Sequence, residues 1–316
     1  MHRGALRAAA AKPPPERRAL PWLAGLLAAS GCSRLDAIPF APPQTAETWL
    51  LIQPFVRLDV ASRQILIVQP STSLIVYLLG LLAIAVGLYC LRIRNGQRSR
   101  TWWGVSMLLW GAGALLAGTS YEAFSHAIKC AGRPACVWTS WWEVIYLILS
   151  VASVDAILIA QAFSCSVGKW RKALSIYALA NLTCYVAIAL AGALVPVQFL
   201  ISFELMVLFV APTIGIFFLL NGWRYQTSRN RMDLALLGAW FGLSLTLGAY
   251  HLYRTLGITQ QLWQRGIWFS QDDVLHVGLI AWMIYLARVV VSRVLDAGMP
   301  QHANTGRAAR ERDRES

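Results

Sequence analysis

Charge is what this chain has least of. Of its 316 residues 14% are Asp, Glu, Lys or Arg, while 57% are hydrophobic; a soluble domain carries roughly a quarter charged residues. The deficit falls in long apolar blocks with arginine and lysine gathered between them. That pattern excludes one large soluble core and indicates repeated membrane spans. Close cysteine pairs are also missing. The six cysteines, Cys32, Cys90, Cys130, Cys136, Cys165 and Cys184, form no CxxC, which leaves a zinc ribbon or thioredoxin-like site without support. No cofactor box, phosphate loop or nucleophile elbow occurs. The net charge of +13 does not indicate nucleic acid, because the basic residues sit in short loops and the tail, where anionic lipid and the insertion machinery account for them.

Residues 1–32 read as a leader. An Ala/Arg/Pro-rich start is followed by Arg17 and Arg18 and then by the apolar run Ala19 to Ser30, too short to span and of the size of a signal-peptide core. It ends in Ala29-Ser30-Gly31-Cys32, which resembles a bacterial lipoprotein processing site with Cys32 as the lipidated residue; a plain uncleaved start is the alternative. Residues 33–72 form an extracytoplasmic segment with five prolines, Pro39, Pro42, Pro43, Pro54 and Pro70. In it, Trp49 to Val56 and Ile65 to Val68 are expected to be short extended or interfacial pieces.

Seven blocks follow that are long enough to cross, at about 73–93, 102–124, 138–163, 173–194, 197–221, 233–256 and 273–295. Each supplies the roughly 20 residues that a hydrocarbon layer of about 30 Å demands of a helix, and none alternates as a barrel strand does. The fold expected is an all-α, seven-helix membrane bundle over residues 73–295, with a disordered cytoplasmic tail from 296 to 316. Basic residues cluster after the first span (Arg92, Arg94, Arg98, Arg100), the third (Lys169, Arg171, Lys172), the fifth (Arg224, Arg229, Arg231) and the seventh (Arg288, Arg293). The positive-inside rule then puts the N-terminus outside and the C-terminus inside, as the leader also requires, in what is expected to be a bacterial inner membrane. Cys130 and Cys136 share one short outer loop, where a disulfide is favoured.

Ionisable residues inside spans are functional candidates by default. Glu122 and His126 end the second span, Glu143 opens the third, His251 nears the outer end of the sixth, and Asp272, Asp273 and His276 open the seventh. Asp155 lies deeper in the third span and Glu204 in the fifth. The convergence of the first group at one depth predicts an outer polar site. Four-residue spacing puts Glu122 with His126 on one helix face, and Asp272 with His276 on another. Carboxylate and imidazole pairs of this kind suit zinc, with His126, His276, Asp272, His251 and Asp273 as candidate ligands. Glu122 and Glu143 are candidates for proton transfer, and Ser120, with Tyr121 and Ser125, for positioning a substrate or its oxyanion. The bland alternatives are hydrogen-bonded interfacial histidines and aspartates that cap a helix.

This layout resembles the superfamily that joins alkaline ceramidases to progestin and adiponectin receptors, over about residues 73–295. Those proteins have seven helices and a zinc site drawn from Ser-xxx-His in the second helix, Asp in the third and His-xxx-His opening the seventh. The matching positions are Glu122 and His126, then Glu143 or else Asp155, then Asp272 with His276. The chain departs in having Glu122 for the serine and one histidine in the seventh helix for two. The resemblance implies a metal-dependent hydrolase of a lipid amide or ester, with zinc as cofactor. A sensor or receptor that binds a ligand in the same pocket is the second reading, and a transporter the third. The expected partners are the bilayer and a lipid-like substrate or ligand.

Overall fold

A computed structural model of the protein describes residues 34–60 and 63–298; the leader and Cys32 lie outside the described residues. The apolar blocks fold as long helices. Pro70–Arg92 (α2), Arg98–Ala117 (α3), Trp141–Cys165 (α5), Gly168–Leu194 (α6), Phe203–Ser228 (α7), Arg231–Thr255 (α8) and Gln271–Tyr285 (α10) correspond one for one to the seven expected blocks. Short helices Ala46–Leu51 (α1), Ser125–Lys129 (α4) and Ile258–Gln264 (α9) sit between them. Six are long and apolar enough to cross a membrane: α2, α5, α6, α7, α8, and α10 with its continuation to Val290. α3 is not among the six. Its first turn carries Arg98 and Arg100, and its body is rich in glycine, serine and tryptophan, because its neighbours are other helices.

The fold is not wholly helical. Phe55–Val60 (β1) pairs antiparallel with Arg63–Val68 (β2), with Phe55 opposite Val68, so the segment expected to be extended is a hairpin, while Trp49 belongs to α1. The fifth span starts later than its hydropathy suggests. A 3₁₀ turn, Gln198–Ile201, follows Pro196, and α7 opens only after Ser202, whose hydroxyl accepts from the Leu205 amide.

The long helices close a ring: α3 lies between α2 and α5, α5 meets α6 and α7, α7 meets α8, and α10 joins α8 back to α2. α2 and α3 cross almost backbone to backbone, since a Cβ at Gly111 would stand 2.7 Å from the Gly80 carbonyl and one at Gly87 2.9 Å from that of Gly104. Small residues permit this approach in membranes. Gly238 opens room for Tyr285, whose hydroxyl donates to the Ala235 carbonyl, while the Trp282 indole donates to that of Ala239.

Two apolar clusters fill the ring. The larger, around Trp103, Met107, Phe217, Leu236, Trp240 and Met283, fills the half near the basic loops; Trp240 stacks on Phe217 at 4.4 Å. The smaller joins α5, α6 and α7 in the other half through Leu147, Val151, Tyr185, Ala189, Leu205 and Met206.

At the basic end the Asp296 carboxylate accepts from the amides of Arg98 and Ser99, both at 2.8 Å, capping α3 from 198 residues away. The Ala297 amide donates to the Phe163 carbonyl. The chain therefore stays tied to the bundle past position 296, where the tail was expected to begin. At the opposite end Cys130 and Cys136 form the disulfide favoured from their spacing. The strand-like run from Ile38 to Gln44 is laced to it, with Phe40 donating to the Cys136 carbonyl and Cys136 to that of Gln44.

Candidate functional site

The site begins with an irregularity in α3. Past Ala117 the helix widens into a π-turn, Gly118–Ala123, closed by the Phe124 amide donating to the Thr119 carbonyl. π-turns mark functional sites often. Phe124 then leaves helical geometry (φ −114°, ψ 18°) before α4 starts. Gly118 is required here, since a Cβ would come within 2.4 Å of Val76 on α2.

The π-turn undoes the four-residue pairing of Glu122 with His126. Glu122 is 6% exposed and within electrostatic reach of Asp272, Asp273 and Lys129. His126, half-buried on α4, has its charged neighbour in Glu47 of α1. The i, i+4 rule holds only along a regular helix, and this one changes pitch and then breaks between the two residues.

α10 opens on a capping box. The Ser270 hydroxyl accepts from the amides of Asp272 and Asp273, and the Ser270 amide donates to Asp273 Oδ2 at 2.6 Å. Asp273 is thus first a cap, also reached by Ser71 from α2, although its Oδ1 is buried with no partner. Asp272, one position on, faces the site: it takes a bond from Gln271 and lies near Tyr250 and Arg254 of α8. His276, one turn further, is half-buried, and its Nδ1 is buried without a hydrogen-bond partner. Tyr146 of α5 stands near Asp272 and Tyr250, and Tyr121 meets its ring edge to face at 5.9 Å. Ser120 and Ser125 are fully buried, with hydroxyls that have no partner. His251 is exposed, its ring against Tyr250.

Glu143 is committed elsewhere. Its Oε1 lies 2.5 Å from Lys129 Nζ, with the two side chains 1% and 4% exposed. Lys129 also points at the Tyr121 ring, 4.8 Å from its centre, and donates to the Trp138 carbonyl at 3.4 Å. Its burial comes from these tertiary contacts, and no sequence pattern marks it.

The structure thus brings Glu122, Asp272 and Asp273 within electrostatic reach of one another, with Tyr250 near Glu122 and Asp272 and Tyr146 near Asp272; His276 shares α10 with the two aspartates. The structure does not gather His126, His251 and His276. Among the described residues, no three histidine, cysteine or carboxylate side chains are grouped so as to hold a metal ion.

Two further polar groups lie away from this site. Asp155, near mid-span, accepts from Asn181 Nδ2, which lies 3.2 and 3.0 Å from its two oxygens and also donates to the Phe209 carbonyl at 3.3 Å. Near the basic end Asp233, fully buried, pairs with Arg224 at 3.0 Å, which also donates to the Cys165 carbonyl, while Asn221 donates to Gln161. Arg224 had been legible as a loop cation; its spacing of nine residues from Asp233 across the α7–α8 turn carried the pairing.

Residues 71–293 match the model of one protein family. The chain belongs to the family of unknown function DUF6962. In DUF6962 terms the matched span runs from the start of α2 past the end of α10, so it holds Glu122, Asp272, Asp273 and His276, while α1 and the hairpin precede it. No curated protein and no solved structure matches the chain.

Proposed function

We propose that this DUF6962 protein spans the membrane seven times, with α3 as the seventh span and its N-terminus outside, and that it binds a cationic ligand in the outer half of the bundle. The arginine-rich loops at one end support that orientation, and so does the disulfide at the other, which suits an oxidising compartment. A multi-pass protein of a bacterial inner membrane fits both.

The observation that carries the ligand reading is the state of Glu122. Its Oε2 is buried without a partner, beside two more carboxylates, while Lys129, the nearby lysine, is held by Glu143. Arg254 stands near Asp272, but Glu122 has no cation of its own, and a buried carboxylate without counter-charge is costly. A ligand that supplies positive charge and N–H donors offsets that cost, and the tyrosine faces are suited to an ammonium group. This is the sensor or receptor reading given chemical content. A metal-dependent hydrolase of lipid amides or esters remains the rival reading of the site, in which zinc would have to draw His276 and Asp272 together.

The test is thermal unfolding of the purified protein in nanodiscs, with dodecylammonium, dodecanoate or zinc chloride added. Dodecylammonium raises the midpoint, dodecanoate does not, and Glu122→Gln and Asp272→Asn each abolish the rise. Equal effects of ammonium and carboxylate overturn the reading. A rise with zinc alone, lost in His276→Ala, replaces it with the metal site.

A further inference from the structure

The sixth long helix carries one stripe that changes character half-way along. Asp233, Leu236, Trp240, Ser244, Leu247 and His251 follow one another at intervals of three and four, so they share a face of α8. The first three are sealed in the bundle, at 0%, 0% and 1% exposure. There Asp233 meets Arg224 of α7, and Trp240 stacks on Phe217 of α7 and, at 6.2 Å, on Trp103 of α3. The last three are exposed, Leu247 at 40%. The same face that grips α7 and α3 in the inner half is therefore uncovered in the outer half.

The packing explains why. The outer half of α7 contributes Leu205 and Met206 to the cluster shared with α5 and α6, to which α8 gives no residue. The buried residues of α8 end at Trp240. Beyond that point α8 is held from the side of α10, by Thr246 against Gly278 and by Tyr253 against Phe269. α7 and α8 thus share buried contacts at their inner ends, and in the outer half this face of α8 has no buried residue. Tyr146 of α5 and Tyr250 of α8 come near each other and Asp272 there, and Tyr121, 38% exposed, lies on the side of Glu204 in α7.

We propose that the gap between the outer halves of α7 and α8 is a lateral portal, through which an amphiphile with a cationic head group passes from the outer leaflet to the Glu122–Asp272 site. Leu247 stands between Ser244 and His251 on the α8 side, and exposed Val207 and Leu208 lie in the outer half of α7, so the walls offer an alkyl chain apolar contact; the inner end is acidic and suits an ammonium. The cap built from α1, the Cys130–Cys136 loop and the strap from Ile38 to Gln44 lies at the outer end, which leaves the membrane side for entry. His251 then serves as a residue of the portal wall, outside any ligand cluster. The identity of the head group rests on the cationic reading above; the portal does not.

The experiment uses the full chain in nanodiscs and a dodecylammonium probe that carries a diazirine beside its nitrogen. Photolabelling of the peptide that contains Tyr121 and Glu122 is measured relative to a lipid-facing peptide of α6. Leu247→Trp, which fills the gap, lowers that ratio about tenfold, equivalent to roughly 1.4 kcal/mol. Leu245→Trp, two residues away on the opposite face of α8 and 64% exposed, leaves it within about twofold of wild type, below roughly 0.5 kcal/mol. Unlabelled dodecylammonium competes, and butylammonium at equal concentration does not. Undiminished labelling in Leu247→Trp, or equal competition by butylammonium, overturns the portal. Because Leu247 is partly exposed, the competition arm on wild-type protein decides the matter should the variant fail to fold. If Leu247→Trp blocks labelling and Glu122→Gln does not, the portal stands and the cationic site falls.

Discussion

The pair formed by Lys129 and Glu143 fastens α4, and with it the π-turn, to α5, and its strength can be worked from the geometry. At 2.5 Å and an effective dielectric constant of about 20, the gross attraction is about 7 kcal/mol. Removing water from both ions offsets most of it. Breaking the pair on one side is a different matter, because the surviving ion stays buried. Lys129→Met leaves the Glu143 carboxylate at 1% exposure without its cation and should lower unfolding free energy by about 3–5 kcal/mol. Adding Glu143→Leu to Lys129→Met removes the orphan and should recover most of that loss, since well-packed apolar replacements of a buried pair are neutral or stabilising by roughly 1–4 kcal/mol. Unfolding by SDS titration in mixed micelles, followed by tryptophan fluorescence, measures wild type, each single variant and the double variant. A loss under about 1 kcal/mol in Lys129→Met, well short of the 3–5 expected for a broken buried pair, refutes the reasoning. So does a double variant as unstable as the sum of the single ones.

Three further outcomes follow from particular contacts. Gly118→Ala puts a methyl group 2.4 Å from Val76 Cγ1 and should cost about 1–3 kcal/mol by overpacking; Val76→Ala in the same chain should restore part of it, read by the same titration. Asp296→Ala uncaps α3 and should cost about 1 kcal/mol, with hydrogen exchange accelerated first at the amides of Arg98 and Ser99, and Asp296→Asn should keep part of the protection. In the outer segment the Thr45 hydroxyl donates to Glu47 at 2.7 Å and holds that carboxyl below its ordinary 4.5. A group lowered on folding contributes above its unfolded value and loses that contribution as the pH falls through the folded one. Thr45→Val should therefore raise the Glu47 titration midpoint seen by carbon NMR toward 4.5.

The long helices were legible because lipid and backbone chemistry leave few alternatives: a chain in hydrocarbon must satisfy its own amides, and each apolar block is a helix of about the expected length. α3 shows the reach and the limit of that argument. Its position followed from its length, yet its composition reflects protein neighbours, and hydropathy alone does not set it beside the other six. The outer cluster was legible in part. Glu122, Asp272, Asp273 and His276 could be placed at one depth by counting residues, and of these Glu122, Asp272 and Asp273 lie within electrostatic reach of one another. His126 could not be placed, because a π-turn is invisible to a rule that assumes 3.6 residues per turn. His251 could not either, because hydropathy does not say which face of α8 is covered, and His251 is exposed. Lys129 and Asp233 were missed for a common reason: both lie at helix ends, where charge is usual, and only tertiary packing makes them buried.

The central claim is that the Glu122–Asp272 site takes a cation. Equilibrium binding of dodecylammonium to the nanodisc-embedded protein, measured by calorimetry at fixed lipid-to-protein ratio against empty nanodiscs, tests it most directly. The account predicts one saturable site per chain that vanishes in Glu122→Gln and persists in the distant Asp155→Asn. Saturable binding unchanged by Glu122→Gln, or partitioning no different from empty nanodiscs, would contradict it.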